Sequence, residues 1–419
     1  MAIAFLLLWL PLLSSCEVPQ VSAESRLFSS ISLELLDVYT LPKDLEWADE
    51  PVGGLSAIAY DRQRDRLLAL SDDRGEYFPA HFYTLKLGLD QQTPTRPTIQ
   101  TVAVEAMTIL LDPTGQPYER SSIDPEGLAL SPDETVFIAS EGRRGLDTDP
   151  VIAEFDRATG RWVRSLPLPE RYLIGELTPE ETEAVLAART SSRNSAIVPE
   201  GMTNTKEVEA LEKGVQKNFG FEALALQPVG FGSGMTEPIR LFAATESALV
   251  QDLDPNQINP TVRSRFLHYL IGEDQVSFIA EYMYELDPDP FGTVANGLSE
   301  LLVLDSGGHF LGLERSFGLQ GFKVKLFQLA TGGATDISNR VTLTGDVSGI
   351  SPIRKQLILD FNELAQTTDL DLDLYVDNLE GMTFGPRLPD GSESLLLISD
   401  NNFESYQSTQ LWLFRLNRG

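Results

Sequence analysis

The sequence predicts an all-β fold: a β-propeller of five four-stranded blades, closed by an N-terminal strand and carrying small helical insertions. One hairpin pattern occurs five times, with an acid near the start of its first strand and another at the end of its second. The copies begin at residues 56, 126, 222, 300 and 380, a spacing that suits one blade per copy and is too wide for a solenoid. Residues 31–39 precede the first copy and can complete the last blade, so that the ring exposes no sheet edge.

The clearest copy spans residues 121–142. Residues 123–130 form a short apolar strand that carries Glu126, and the sequence Ser-Pro-Asp at 131–133 supplies turn chemistry. Residues 135–140 form a second strand that ends at Glu141. The first copy departs from this pattern, because Ser56 stands where the others carry Glu.

Further strands follow each hairpin, up to residues 410–416 in the fifth blade. Five blades are legible, and a degenerate sixth inside residues 260–295 or 335–375 stays open. Helical insertions are expected at about 178–217, where an N-cap and an acidic first turn begin a helix, and at 353–364, where apolar residues have helical spacing. Residues 31–419 therefore form one propeller domain.

The N-terminus predicts a lipoprotein. Residues 1–15 are an apolar run with the length of a signal peptide, too short to span a bilayer. Residues 13–16, Leu-Ser-Ser-Cys, resemble the bacterial lipobox, in which the cysteine receives lipid after cleavage. We therefore expect lipidated Cys16, a linker to residue 30, and an extracytoplasmic protein anchored to a bacterial membrane through lipid alone. The alternative is a soluble secreted protein with an incidental Cys16.

The formal net charge of −30 disfavours nucleic acid as a partner, since phosphate backbones require Lys and Arg. A single cysteine excludes a disulfide framework and a cysteine-based zinc site. Only three histidines occur, so a metal here would depend on oxygen ligands, which favours Ca²⁺ or Mg²⁺.

The acids that recur in the pattern are the candidate site. Because first strands line the channel of a propeller, acids in them converge from separate blades; these catalytic candidates are Glu126, Glu222, Glu300 and Glu380. Acids at the ends of the second strands would form a second ring of metal ligands: Asp72, Glu141, Glu246, Glu314 and Asp400. Crowded carboxylates raise one another's pKa values unless a cation lies among them. The alternative is that each acid caps a turn within its own blade.

Arginines follow several of these acids directly. Arg74, Arg143 and Arg315 could bind phosphate, which bidentate guanidinium groups recognise well. The alternative for each is a salt bridge to the neighbouring acid. Other chemistries lack their motifs: an EF-hand at 369–380 fails because Leu374 stands where glycine is required, and the sequence contains no Gly-x-Ser-x-Gly and no phosphate-binding Gly-x-x-x-x-Gly-Lys.

The hairpin sequences resemble the bacterial family called "esterase-like activity of phytase". The resemblance is carried by residues 124–129 (Asp-Pro-Glu-Gly-Leu-Ala), 218–224, 313–317 and 378–382 (Asn-Leu-Glu-Gly-Met), followed by 397–403, and it covers roughly residues 50–416. It implies a β-propeller whose repeated acids serve phosphoester hydrolysis. Family and fold do not by themselves establish chemistry.

The sequence thus predicts a monomeric, metal-dependent phosphoester hydrolase that acts on a small phosphate ester at an acidic propeller mouth. In this prediction, metal-bound water attacks while metal and arginines hold the phosphoryl oxygens. The alternative is a non-catalytic, surface-tethered propeller that binds or scaffolds other molecules. A carboxylic esterase ranks last, since no Ser-His-Asp arrangement is visible.

Overall fold

A computed structural model describes residues 27–90, 93, 95–191, 211–227, 238–254, 261–288, 293–368 and 374–419. The predicted signal peptide and Cys16 lie outside these ranges, as does most of the linker, and these assignments remain predictions. No helix within the described ranges is long and apolar enough to cross a membrane.

Twenty strands form five antiparallel sheets of four, which are the blades of a β-propeller. One strand of each blade is the innermost, and these five inner strands contact one another in a closed ring. In blades 1 to 3 the strands run from the inside outward as follows: β4 Leu55–Asp61, β5 Arg66–Ser71, β6 His81–Leu89 and β7 Ile99–Ile109; β8 Pro125–Leu130, β9 Thr135–Ser140, β10 Val151–Asp156 and β11 Trp162–Ser165; β14 Phe221–Leu226, β15 Ile239–Thr245, β16 Arg263–Ile271 and β17 Val276–Glu285. Blades 4 and 5 comprise β18 Thr293–Val303, β19 His309–Gly318, β20 Gly321–Ala330 and β21 Arg354–Asp360; then β22 Leu379–Phe384, β23 Glu393–Ser399, β24 Gln410–Arg418 and β1 Ile31–Thr40.

The N-terminal strand closes the ring, which confirms the prediction. Strand β1 is the outer strand of blade 5 and pairs antiparallel with β24, from Ile31 opposite Arg418 to Thr40 opposite Gln410. The regions considered for a sixth blade instead supply strands to blades 3 and 4. Two short hairpins lie outside the blades: β2 Glu46–Trp47 with β3 Glu50–Pro51, and β12 Gly175–Glu176 with β13 Glu212–Lys213.

The insertion predicted at 178–217 begins with helix α1, Pro179–Ser191. Its start is a capping box, in which the Thr178 N–H donates to Glu181 Oε2 (2.9 Å) and the Glu181 N–H donates to Thr178 Oγ1 (3.3 Å). The helical piece expected near 207–217 lies partly outside the described residues, and Glu212–Lys213 is strand β13.

The helical interpretation of 353–364 is wrong for most of its length. Residues Arg354–Asp360 are β21, the outer strand of blade 4, because the exposed edge of β20 offers backbone hydrogen bonds that a short apolar run can take up. Helix α2 begins only at Phe361 and ends at Thr367. Its N-cap is Asp360, whose carboxylate accepts the N–H groups of Asn362 (2.9 Å) and Glu363 (3.1 Å).

The core lies between adjacent blades. Apolar residues of blade 5, such as Ile398 and Leu413, pack with residues of blade 1, such as Leu67 and Tyr83, and all four are essentially buried. Between blades 4 and 5, Trp412 is fully buried and its ring contacts Phe361 edge-on, with centroids 5.6 Å apart. Because every sheet buries both faces against its neighbours, the ring holds the inner strands at fixed positions around the axis.

Close packing of the blades near the axis depends on glycine. Gly220 lies at the start of blade 3. A Cβ atom on it would come closer than 3.0 Å to the carbonyl group of Glu141 in the neighbouring blade 2. We expect Gly220→Ala to lower the free energy of unfolding by about 1–3 kcal/mol, because the backbone of blade 2 would have to shift. Denaturant unfolding measures this loss. Gly332→Ala is the matched control, because its Cβ would meet no atom within 4 Å. Equal effects of the two substitutions would contradict the packing argument.

Candidate functional site

A β-bulge in each inner strand sets the site, at the start of the strand in four blades and within β18 in blade 4. In every blade the inner and second strands slip by one residue at this level, and one inner residue is left unopposed. The bulged residues are Ser56, Glu126, Glu222, Ser299 and Glu380. On each second strand, one residue pairs with the inner-strand residue just before the bulge. The residues that come next on the second strands are Asp72, Glu141, Glu246, Arg315 and Asp400. The sequence repeat therefore places two side chains per blade at one end of the channel.

This geometry corrects the fourth copy of the pattern by one residue. Ser299, not Glu300, is the bulged residue of blade 4, since Leu298 pairs with Glu314 and Glu300 with Leu313. Glu300 takes the position that is Ala or Gly in the other blades. It is buried, and its Oε1 accepts the N–H of Leu301 (2.8 Å) and, more weakly, that of Leu224 (3.4 Å). Burial raises the pKa of Glu300, while these backbone donors lower it. Glu300 thus connects inner strands and does not face the other predicted acids.

Glu314 does not reach the end of the channel at which the bulges lie, which we call the mouth. Its carboxylate accepts the hydroxyl of Tyr284 (2.6 Å) and the N–H of Asp287 (2.9 Å), and it forms an ion pair with Lys355. Strand β19 continues through this position, and neighbouring side chains on a strand point to opposite faces. Arg315 therefore takes the central position that is acidic in the other four blades.

The remaining predicted residues come together with Asp124. We call the following set the mouth cluster: Asp72, Asp124, Glu126, Glu141, Glu222, Glu246, Glu380 and Asp400, with Arg74, Arg143 and Arg315. Sequence reasoning missed Asp124 as a site residue, although it stands two residues before Glu126 in the repeated motif.

Arg315 is the central cation of the mouth cluster. Its Nη1 lies 2.7 Å from Glu380 Oε1 and its Nη2 lies 2.8 Å from Glu246 Oε1, while Glu222 Oε1 is 3.7 Å away. Nη1 also donates to Asn378 Oδ1 (2.6 Å), and Asn378 Nδ2 donates to Glu380 (2.9 Å). Burial alone would lower the pKa of Arg315, but the negative charges of Glu380, Glu246 and Glu222 outweigh burial and raise it.

The other two arginines meet at Asp124, which is 1% exposed. Arg74 forms an ion pair with Asp124 Oδ1, and Arg143 Nε lies 3.8 Å from Asp124 Oδ2. Several buried polar atoms of the mouth cluster have no hydrogen-bond partner among the described residues: Asp72 Oδ1, Asp124 Oδ2, Glu141 Oε2, Glu222 Oε2, Arg143 Nη1 and Arg315 Nε. Such atoms are costly to bury and are available to a ligand.

Burial and crowding raise the pKa values of the acids. Burial raises the pKa of Asp72 to about 7, with a further contribution from the charge of Glu380. The pKa values of Glu126, Glu141, Glu222 and Asp400 also rise, first through burial and then through the charges of neighbouring acids. Beyond the bulges the channel is largely apolar, lined by Ile58, Leu128, Leu224, Leu301 and Met382 around a cavity of about 260 Å³. This apolar layer contributes to the desolvation of the acids above it.

The mouth cluster is chemically suited to a hard divalent cation, because four of its buried carboxylate oxygens accept no hydrogen bond from the described residues. Within the described part of the chain, however, no group of three or more His, Cys, Asp or Glu side chains is already arranged to hold a metal ion. Cation binding would therefore require side chains of the mouth cluster to rotate toward a common point.

The chain belongs to the Phytase-like family, described as "esterase-like activity of phytase", whose family model matches residues 50–403. No curated protein matches the chain significantly.

Among solved structures, a member of the duf4221 family from Bacteroides vulgatus is 8% identical with a TM-score of 0.35, covering 93% of this chain and 99% of that one. The catalytic domain of a GH62 α-L-arabinofuranosidase from Coprinopsis cinerea is 9% identical with a TM-score of 0.40, covering 92% and 97%. The α-L-arabinofuranosidase PaAbf62A from Podospora anserina, in complex with cellotriose, is 9% identical with a TM-score of 0.38, covering 93% and 97%.

Proposed function

We propose that this protein is a phosphoester hydrolase that acts at the mouth cluster, as a monomer held outside the cytoplasm by a lipid on Cys16. The observation that carries this proposal is the convergence of eight acids and three arginines from five blades, several with buried polar atoms that have no partner among the described residues. Membership of the Phytase-like family supports the same class of reaction.

Arg143 is the proposed contact for the phosphoryl group. Its Nη1 is buried and has no hydrogen-bond partner among the described residues, and its 3.8 Å separation from Asp124 leaves that ion pair loose. A planar guanidinium recognises phosphoryl oxygens with parallel hydrogen bonds. Nη1 of Arg143 can donate one hydrogen bond to a phosphoryl oxygen at the mouth.

The acids supply proton transfer. Hydrolysis requires one group to take a proton from the attacking water and another to give a proton to the departing alcohol as the P–O bond breaks. Burial and the charges of neighbouring acids raise the pKa values of Glu126 and Glu222, which favours the protonated form that can donate this proton. An ionised neighbour in the same cluster can act as the base, since crowded carboxylates titrate in separate steps.

A divalent cation, Ca²⁺ or Mg²⁺, completes the proposal. When the eight acids are ionised, the three arginines leave an excess of negative charge that would repel a phosphate ester. Asp72, Glu141 and Glu222 each have a buried carboxylate oxygen with no hydrogen-bond partner in the described part of the chain, and such an ion prefers oxygen ligands of this kind. A bound cation would offset this charge and polarise the phosphoryl group.

The test is hydrolysis of a chromogenic aryl phosphate monoester and diester, with Ca²⁺, with Mg²⁺ and with chelator. We expect turnover that chelator abolishes, and a loss of about 100-fold in kcat/KM for Arg143→Gln. Arg157→Gln is the control: Arg157 is an ion-paired arginine of blade 2 that binds Asp61 and Glu134 away from the mouth. Absence of turnover under every metal condition would refute the hydrolase and favour the non-catalytic binding propeller.

A further inference from the structure

Two aromatic side chains from different blades meet beside the mouth cluster. Tyr77 lies in the loop between β5 and β6, and Phe403 lies in the loop between β23 and β24. Their ring centroids are 4.8 Å apart with an interplanar angle of 32°. Tyr77 is 37% exposed and Phe403 is partly exposed, so the pair offers aromatic surface to solvent at the joint between blades 1 and 5.

The backbone around Phe403 is held in an unfavourable conformation. Asn402 and Phe403 have φ angles of 46° and 54°, which lie in the left-handed region where a bulky residue is strained. The mouth cluster holds the loop in place, because Asp400 Oδ1 accepts the N–H of Asn402 (2.9 Å). Asn401 Oδ1 accepts the N–H of Phe403 (3.1 Å) and also that of Gly54 in blade 1 (2.9 Å).

Gly54 shows how near the aromatic pair is to the acids. A Cβ atom on Gly54 would come closer than 3.0 Å to both Asp72 Oδ1 and a ring carbon of Phe403, so the carboxylate and the ring lie side by side. Tyr77 is fixed from the same blade by Asp73, whose carboxylate accepts the N–H groups of Glu76 (2.7 Å) and Phe78 (2.7 Å).

Carboxylate and aromatic ring together form a surface for an organic cation. Asp72 Oδ1 is buried and has no hydrogen-bond partner among the described residues. The face of an aromatic ring is electrically negative and attracts ammonium groups, most strongly where water is partly excluded. Alkylammonium groups also bring apolar carbon that can pack on the rings, which a hydrated metal ion does not.

We propose that the mouth takes phosphate esters whose alcohol carries an ammonium group, of the choline or ethanolamine type. The ammonium group would lie against Tyr77 and Phe403 beside Asp72, and the phosphoryl group would point toward Arg143. The phosphate end of this inference rests on the proposed hydrolase function. The cationic end rests on the pair of aromatic rings and on the neighbouring Asp72, whose carboxylate is complementary to a positively charged alcohol.

The test compares phosphocholine with 3,3-dimethylbutyl phosphate, which has the same shape but carbon in place of the ammonium nitrogen. We expect kcat/KM to favour phosphocholine by at least about 10-fold, and Phe403→Leu to reduce this preference several-fold. Tyr406→Leu is the matched control, because Tyr406 lies in the same loop and is 76% exposed. It should leave the preference ratio unchanged.

Binding of choline chloride, measured by calorimetry against 3,3-dimethylbutanol, separates this inference from the hydrolase itself. Choline binding that weakens in Phe403→Leu supports the ammonium site, even if neither ester is hydrolysed and the hydrolase proposal fails. Equal hydrolysis of the two esters, with no choline binding by the wild-type protein, overturns the ammonium site and leaves the hydrolase standing.

Discussion

Replacing Arg315 with methionine is expected to lower the free energy of unfolding at neutral pH by about 3–5 kcal/mol. The guanidinium contacts Glu380 and Glu246 at 2.7 and 2.8 Å and lies 3.7 Å from Glu222, and only 14% of its side chain is exposed. Its removal leaves three buried acids facing one another without their cation, which costs more than the loss of an exposed ion pair. Denaturant unfolding at pH 7 in the presence of chelator measures the loss.

Arg157→Met is the matched control for this substitution. The Arg157 side chain is also 14% exposed and pairs with two acids, Asp61 and Glu134. Asp61 keeps a second partner, Arg64, at 3.0 Å, so no buried acid is left alone. We expect a loss of about 1 kcal/mol here. If Arg315→Met costs no more than this, the acids are already neutralised by protons or by another cation, and Arg315 is not their counter-ion.

The second large effect is on pH dependence. Burial and the charge of Glu380 raise the pKa of Asp72 from its ordinary value of 3.8 to about 7. A group whose pKa is higher in the folded state binds its proton more tightly there, so its stabilising contribution is complete below pH 4 and is lost as pH rises toward 7. We expect the contribution of Asp72 to fall by about 2–4 kcal/mol across this range, measured by urea unfolding in chelator at several pH values.

Asp72→Asn should flatten this part of the stability profile, because the amide cannot ionise. Glu119→Gln, at an exposed acid of the loop before blade 2, should retain the wild-type slope. Saturating Ca²⁺ should also reduce the slope if the ion binds among the ionised acids. A wild-type slope that survives in Asp72→Asn would show that Asp72 is not the group responsible.

The fold could be predicted because its unit is local and repeated. Each hairpin carries its own turn and apolar strands, and five copies define the ring without knowledge of any long-range contact. The same local signal marks Glu126, Glu222 and Glu380, since in these blades the acid is the bulged residue. The closing strand β1 could be predicted because it precedes the first copy and has no other partner.

Blade 4 was misassigned by one residue because the register of a strand pair depends on both strands. Its first two strands, β18 and β19, extend well beyond the bulge, to Thr293 and Gly318, and adjacent Ser299 and Glu300 are both compatible with the pattern by residue type. Only the pairing of Leu298 with Glu314 shows that Ser299 is the bulged residue and that Arg315 takes the position that is acidic in the other blades. A single sequence contains no direct signal for that pairing.

Strand β21 was missed for a related reason. A short apolar run can be a strand or a helix, and the choice depended on the free edge of β20. Asp124 was not among the predicted site residues. Its role depends on Arg74 and Arg143, which reach it from two different blades.

The pairing of β1 with β24 also constrains the order of events during synthesis. Blades 1 to 4 are each made of consecutive residues and can form as the chain emerges from the ribosome. Blade 5 cannot be completed until residues 410–418 are available to β1, where the N–H of Gly419 finally donates to the carbonyl of Ser30 at 2.8 Å. Until residues 410–418 have emerged, β1 is a lone strand with unpaired backbone groups, so the nascent protein is exposed to mispairing up to that stage of synthesis.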